Sequence, residues 1–411
     1  MANGAPSSAA SSSSSSSGLP PPPPPPKILL AKPPSAPRLA RDDDSSAGAS
    51  RSRNPYPSSL NFLSADSWDL LPDRVLPFLT ENTDFTVVGV IGPPGVGKST
   101  IMNELYGFET SSPGMPLPFV VQCDESKAMG RHCTMGMELR VSAERLILID
   151  SQPVFSPSVL VDMMKPDGLS TIPVLNGESL PADLAHELIG IQLGVFLASV
   201  CNVLLVVSEG IHDYSMWKLM LTVDLLKHGL PDPSLLTSGH FQGCSSGLDK
   251  ENKADVQGGT EDFLAALVFI HTKLQVEGLS PPNTSLLRNA LAQYFKSSSF
   301  VMSDNGSSSE RQTDSSGPHV AKAGKDFKGP DLFFLPLKLP EDSQKIQFES
   351  YSSMLGKLRD QLLSMHGRPF AKNIAERDWL RSSAKIWDLV KKSPAIADYC
   401  KILQKSGLFR K

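Results

Sequence analysis

Apolar residues are not spread evenly along this chain; they gather into short continuous runs separated by polar, helix-period segments. Phe85–Ile91 is apolar and β-branched and ends in a glycine-rich turn, which predicts a strand buried on both faces. Further strands are predicted at Met137–Val141, Arg145–Ile149, Asn202–Val207 and Ala265–His271, with a last one over Leu332–Leu337. Helices are predicted at Ala65–Leu79, Ser99–Gly107, Asp183–Ser199, Tyr214–His228 and Ser285–Phe295, then at Ile346–Met365 and Ala375–Gln404. In the first of these Trp68, Leu71, Val75 and Leu79 share a face; in the last Trp379, Ser383, Trp387 and Val390 form a stripe that reads as packing on the body of the domain rather than as a partner surface. Strands alternating with helices predict a doubly wound, mostly parallel α/β sheet.

One run tests the class. Leu188–Val207 carries no charge and is long enough to span a membrane. It is led in by Asp183, His186 and Glu187, and it closes on a β-branched stretch after Asn202, so a buried helix followed by a buried strand is expected instead.

Composition sets the boundaries. Residues 1–57 hold a serine run at Ser11–Ser17, a proline run at Pro20–Pro26 and the Asp42–Asp44 cluster, which cannot bury enough apolar surface to offset chain entropy; a disordered arm is expected, its prolines a stiff polyproline II linker. Residues 58–340 form the α/β domain, with polar surface insertions at about 231–262 and 303–328, and 341–411 a helical extension packed on it. A net charge of -4 makes no case for direct nucleic-acid contact. The 5 cysteines (Cys123, Cys133, Cys201, Cys244, Cys400) lack disulfide or zinc spacing. The opening residues lack the basic start and apolar core of a secretory leader, so a cytosolic protein, with nuclear residence also compatible, is expected.

The chemistry is concentrated in Gly92-Pro93-Pro94-Gly95-Val96-Gly97-Lys98-Ser99-Thr100. Glycines at this spacing let backbone N–H groups turn inward around phosphate oxygens, and a helix N-terminus follows. Gly92, Pro94, Gly95, Val96, Gly97, Lys98, Ser99 and Thr100 are the expected phosphate-binding set, with Lys98 on the β/γ-phosphates and Ser99 on Mg2+. Asp150, at the end of the apolar Leu146–Ile149, occupies the Walker-B position and is expected to hold the metal.

With these residues the chain resembles the GTPase superfamily of P-loop proteins, and its departures are specific. GTPases follow that Asp with two residues and a glycine whose N–H meets the γ-phosphate; here Asp150-Ser151-Gln152 leads to Pro153, which has no N–H. Val154 stands where Ras-like enzymes place a water-orienting glutamine, so hydrolysis is expected to be slow or absent. Thr134-Met135-Gly136 resembles the Thr-x-Gly of dynamin- and guanylate-binding-like proteins, which implies Thr134 as a further metal ligand; the adjoining His132 is read as an exposed loop histidine. Thr272 and Lys273 match the base-recognition motif and are the expected base-binding residues, but Gln275 replaces its Asp. Losing a charge-assisted bond to guanine costs about 1.5–3 kcal/mol, which leaves ATP and GTP/GDP both open as the purine nucleotide.

The whole set resembles one degenerate GTPase-like family, the P-loop subunit nine of the SMG group, a factor of nonsense-mediated mRNA decay. The resemblance runs from about Leu60 to the C-terminus and rests on Asp150-Ser151-Gln152-Pro153 with Ser156-Pro157-Ser158, and on Asp378-Trp379, Ala384-Lys385-Ile386-Trp387-Asp388 and Lys391-Lys392-Ser393. It implies a regulatory G-like subunit that pairs with the related subunit eight and joins a phosphatidylinositol-3-kinase-like SMG kinase, which phosphorylates an RNA helicase. The alternative is an active GTPase of the dynamin or guanylate-binding type.

Overall fold

The computed structural model describes residues 60–107, 116–175, 177–211, 213–236, 263–301, 329–338, 349–365, 367–407 and 409, all within one compact unit, Asn54–Lys411. The arm at 1–57, the insertion at 303–328 and most of that at 231–262 lie outside the described residues.

The described strands are β1 (Asn61–Leu63), β2 (Thr86–Ile91), β3 (Met137–Val141), β4 (Leu146–Ser151), β5 (Val203–Glu209), β6 (Ala266–Leu274) and β7 (Asp331–Pro336). They form one sheet in the order β1-β3-β4-β2-β5-β6-β7. β4, β2, β5, β6 and β7 run parallel; at one edge β3 pairs antiparallel with β4, and β1 antiparallel with β3. β2 is central, between β4 and β5, and its residues from Val87 to Ile91 are buried, as a strand covered by helices on both faces must be. The architecture is a P-loop NTPase-like α/β fold, a mostly parallel sheet whose central strand leads into the glycine-rich turn. Because β2 and β4 are in register, with Val90 opposite Asp150, the glycine-rich turn and the Asp come out at the same end of the sheet.

The described helices are α1 (Pro72–Val75), α2 (Lys98–Leu105), α3 (Asp124–Ala128), α4 (Pro157–Met163), α5 (Ala182–Val200), α6 (Ser215–Leu226), α7 (Pro281–Tyr294), α8 (Tyr351–Ser364), α9 (Glu376–Lys391) and α10 (Pro394–Lys405). α5 is the one helix among the described residues long and apolar enough to cross a membrane, and it lies in the core, packed against β2, α6, α9 and α10. Its one interior amide, Gln192, is satisfied at both ends: its Oε1 accepts from Trp68 Nε1 at 2.7 Å, and its Nε2 donates to Val174 O at 2.9 Å.

The tryptophan stripe of α9 packs inward. Trp379 Nε1 donates to Val200 O at 2.9 Å, at the end of α5, and Trp387 Nε1 donates to Trp68 O at 3.0 Å. Glu376, in the first turn of α9, is fully buried and accepts from Thr80 N at 2.7 Å and from Thr80 Oγ1 at 3.0 Å. It also pairs with Arg145, on the turn between β3 and β4. Glu376→Ala would leave Thr80 N without its acceptor and the half-buried Arg145, which keeps its bond to Thr80 Oγ1, without its counter-charge, and should lower unfolding free energy by about 3 kcal/mol in a urea melt. A loss below about 1 kcal/mol would show that water replaces the carboxylate.

Several expectations need correction. Ala65–Leu79 is not one helix: a turn around Trp68 (φ 56°) leads to the four-residue α1 and a 3-10 turn, Leu76–Phe78. Pro72 lacks the N–H that a continuing helix would use, and it therefore starts a helix instead of extending one. Ala375–Gln404 is two helices, α9 and α10, because Pro394 restarts the chain and Ser393 caps the new end, accepting from Ile396 N at 3.4 Å. Pro231–Leu236 is not part of a surface insertion: Asp232, Ser234 and Leu236 are buried, and Asp232 accepts from Ala371 N at 2.9 Å. The edge strand β1 and the short α3 and α4 carry no sequence period long enough to read.

Candidate functional site

The site is built on the turn between β2 and α2. A side chain at Gly92 would place its Cβ 2.2 Å from Val207 O on the neighbouring β5, so only glycine lets the chain leave the sheet here. Gly95 (φ 74°) and Gly97 (φ 94°) take the left-handed conformation that curls the loop. Pro94 and Gly95 are exposed at its crest, Val96 is buried beneath, and Thr100 is half-buried in the first turn of α2. Lys98 is buried, and its Nζ donates to two carbonyls of its own loop, Gly92 O at 3.0 Å and Pro93 O at 2.9 Å.

The three expected metal ligands converge. Ser99 Oγ donates to Asp150 Oδ2 at 2.7 Å and Thr134 Oγ1 donates to the same oxygen at 3.0 Å. The two hydroxyls lie 3.4 Å apart. Asp150 Oδ1 is buried with no hydrogen-bond partner. Two hydroxyls and a carboxylate with a spare oxygen, beside a loop whose backbone curls as an anion cradle, form a donor set that fits Mg2+ and a nucleotide phosphate.

Electrostatics point the same way. Burial lowers Lys98 to about 8, with Asp150 partly opposing the shift. Burial raises Asp150, against the opposing effects of Lys98, Ser99 and Thr134. Lys98 binds fewer protons folded than unfolded between about pH 8 and its ordinary 10.5. Its cost to the fold is therefore full below about pH 8, of order 3 kcal/mol, and fades as pH rises towards 10.5. A phosphate needs the ammonium form, so nucleotide affinity should show the opposite trend and fall by up to about tenfold per unit above pH 8. Titrations at stepped pH would check this, and a flat profile would show that Lys98 keeps its proton.

The segment after Asp150 is stitched down. Gln152 N donates to Gly136 O at 2.8 Å, and Gln152 Oε1 accepts from Gly136 N at 2.8 Å. Val154 N donates to Gly92 O at 3.2 Å, and its side chain is buried beside Gly190 of α5. Gly136 itself is required, since a Cβ there would meet Leu63 O at 2.1 Å. The Thr134-Met135-Gly136 triplet thus couples the hydroxyl bonded to Asp150 to a backbone crossing that tolerates no side chain.

His132 departs from expectation: its side chain is almost wholly buried, not exposed. Its Nδ1 lies 2.7 Å from Ser158 Oγ, and its Nε2 lies 3.9 Å from Asp162 on α4. Burial lowers its pKa, Lys98 adding to the effect and Asp162 opposing it. α4 is too short to announce itself in the sequence, so no burying partner for His132 was legible.

Thr272 and Lys273 sit together at the end of β6 but do different work. Thr272 is buried, its Oγ1 2.9 Å from Val96 O and 3.2 Å from Ser208 O, so its hydroxyl ties the P-loop to the sheet. Lys273 (φ 56°) is exposed and pairs with Glu209 at 2.7 Å. Glu209 escaped the sequence reading; its position opposite Thr272 follows only from the β5–β6 register. Gln275 is exposed just beyond.

No family model matches the chain. Among solved structures, a bacterial selenocysteine-specific elongation factor EF-Sec aligns with 52% of this chain and 24% of its own at 11% identity, with a TM-score of 0.24, too low to weigh. The nonsense-mediated mRNA decay factor SMG9 of Xenopus laevis is 27% identical over 357 residues, 80% of this chain. That of Salmo salar is 26% identical over 356 residues, again 80% of this chain, and that of Caenorhabditis elegans 29% over 143 residues, 35% of this chain and 34% of its own. The chain spans 64% of the Xenopus laevis protein and 65% of the Salmo salar one. Along 80% of its length, then, the chain is similar to the nonsense-mediated mRNA decay factor SMG9 of vertebrates, the family its proline-bearing switch and tryptophan-bearing tail resemble.

Proposed function

We propose that this protein is a nucleotide-binding G-like subunit that does not turn its nucleotide over, acting in nonsense-mediated mRNA decay as a regulatory partner of a protein kinase complex. The observation that carries the non-hydrolysing half is the stitched segment after Asp150. Pro153 has no N–H for a γ-phosphate, and the Val154 N–H is taken by Gly92 O. The Val154 side chain is apolar and buried, so it positions no water. Holding a nucleotide is a separate matter, and the groups for it remain: Lys98 for phosphate charge, the P-loop N–H groups for phosphate oxygens, and Ser99, Thr134 and Asp150 for Mg2+. Mg2+, when bound, would neutralise charge on the phosphates. Adenine and guanine remain equal candidates, since Gln275 supplies no carboxylate.

The partner half rests on the sequence similarity and on surface chemistry. Met135, Phe155, Val161 and Met164 are exposed apolar residues on the segments that carry Thr134, Val154 and α4. Such residues beside the nucleotide site suit pairing with a related G-like subunit, the subunit eight of the SMG group, and through it the phosphatidylinositol-3-kinase-like SMG kinase. Residence in the cytoplasm, and no direct hold on nucleic acid, complete this reading.

Two measurements test it. Mass spectrometry of material released from heat-denatured purified protein should find a purine nucleotide near one per chain; none would leave a bare scaffold. Phosphate release by pure protein should stay at background. Sustained release abolished by Lys98→Ala would instead establish an active GTPase of the dynamin or guanylate-binding type.

A further inference from the structure

We infer that Glu138 is a second carboxylate of the cation site, acting on the metal held by Asp150 from the neighbouring strand. The inference rests on the nucleotide-and-cation reading above and adds a residue to it.

Glu138 and Asp150 are direct cross-strand partners in the antiparallel β3–β4 pair. Directly opposite residues present their side chains on one face with Cβ atoms roughly 4.5–5.5 Å apart. That face carries α2 and the P-loop, because Leu146 and Leu148, which alternate with Asp150 along β4, belong to the core that holds Ile101 and Met102 of α2. The acid pair therefore stands beneath the loop that Lys98 and Ser99 enter.

Both acids are buried, and each has an oxygen without a hydrogen bond, Asp150 Oδ1 and Glu138 Oε2. The nearest cation to Glu138 is Arg140, its Nη2 3.7 Å from Oε2, beyond hydrogen-bond length. Arg140 is itself placed by other things: Nη1 donates to Leu139 O at 2.9 Å, and the guanidinium lies 5.7 Å from the centre of the Phe119 ring. Buried carboxylate oxygens without donors cost the fold heavily unless a cation or its water answers them. Asp150 carries its free oxygen where the two hydroxyls gather, and Glu138 stands directly across the strand pair from it, with Arg140 its ion-pair neighbour at 3.7 Å. Glu138 would thus be a positioning group that helps hold the cation through its carboxylate, and groups of this kind govern metal affinity by about 10–100-fold.

The test compares Kd for fluorescent adenosine and guanosine diphosphates in EDTA and in Mn2+, with full-length wild type and Glu138→Gln. Glutamine keeps the shape and removes the charge. The gain in affinity on adding Mn2+ should shrink by about tenfold in the variant, while affinity in EDTA stays near wild type. A variant with the full Mn2+ gain overturns the inference alone. A wild type that gains nothing from Mn2+ overturns the cation reading with it. Should Glu138→Gln fail to fold, Glu138→Asp, which keeps the charge but withdraws it by one methylene, is judged by the same gain, and an undiminished gain overturns the inference.

Discussion

Lys98→Ala should yield a chain that purifies without nucleotide and gains no thermal stability when nucleotide is added. The buried Lys98 ammonium bonds the P-loop itself, through Gly92 O and Pro93 O. Its charge-assisted bonds to phosphate are worth about 1.5–3 kcal/mol each, so affinity should fall at least a hundredfold. Stability without nucleotide should change little. The variant loses two modest hydrogen bonds but also the burial cost that lowers Lys98 to about 8. The large effect is therefore on linkage: a ligand at about 100 times its Kd adds roughly 2.7 kcal/mol to the folded state, and the variant forfeits this. If partner pairing depends on the loaded site, it should weaken in parallel. Wild-type nucleotide content by mass spectrometry, or an undiminished thermal shift, would refute the assignment of the loop.

Trp387→Ala should be the most destabilising single change on α9, at about 3–5 kcal/mol, or a fall in Tm of roughly 5–10 °C. Trp387 is buried edge-on against Trp68, with ring centres 5.5 Å apart, and against Phe196 of α5 at 5.2 Å. Its Nε1 also satisfies Trp68 O, at 3.0 Å. Truncation opens a cavity among aromatic rings and leaves that buried carbonyl unanswered. Trp387→Phe keeps a ring but loses the donor, and should cost distinctly less. Urea melts of the three proteins would check the order. A loss under about 1 kcal/mol for Trp387→Ala would mean that α9 docks on the domain as a loose appendage. A large loss would make it part of one cooperative core.

How much of this was legible beforehand depends on where the information lies along the chain. The β2 strand, the P-loop and α2 are contiguous, and their chemistry is local: glycine φ values, a lysine, a hydroxyl and a helix N-terminus within nine residues. Pro153 and Val154 were equally legible, because a missing N–H and a missing polar group are properties of the residues themselves. Continuous apolar runs likewise announced the parallel strands and α5. Prolines set the limit of that reading. Pro72 and Pro394 broke periods that otherwise looked continuous, and each broke a helix where the expectation ran on.

By itself, then, the sequence determined the glycine-rich turn, the parallel sheet around it and the Pro153-Val154 pair that follows Asp150. Tertiary structure alone decided which distant residues share a face. It buried His132 against Ser158, turned Thr272 onto Val96 O and set Glu138 opposite Asp150. It also drew Trp387, 319 residues from Trp68 in the chain, into one aromatic core with it. The reason is physical: strand register and helix docking are settled by how well whole surfaces pack, and no window of local sequence holds both surfaces at once.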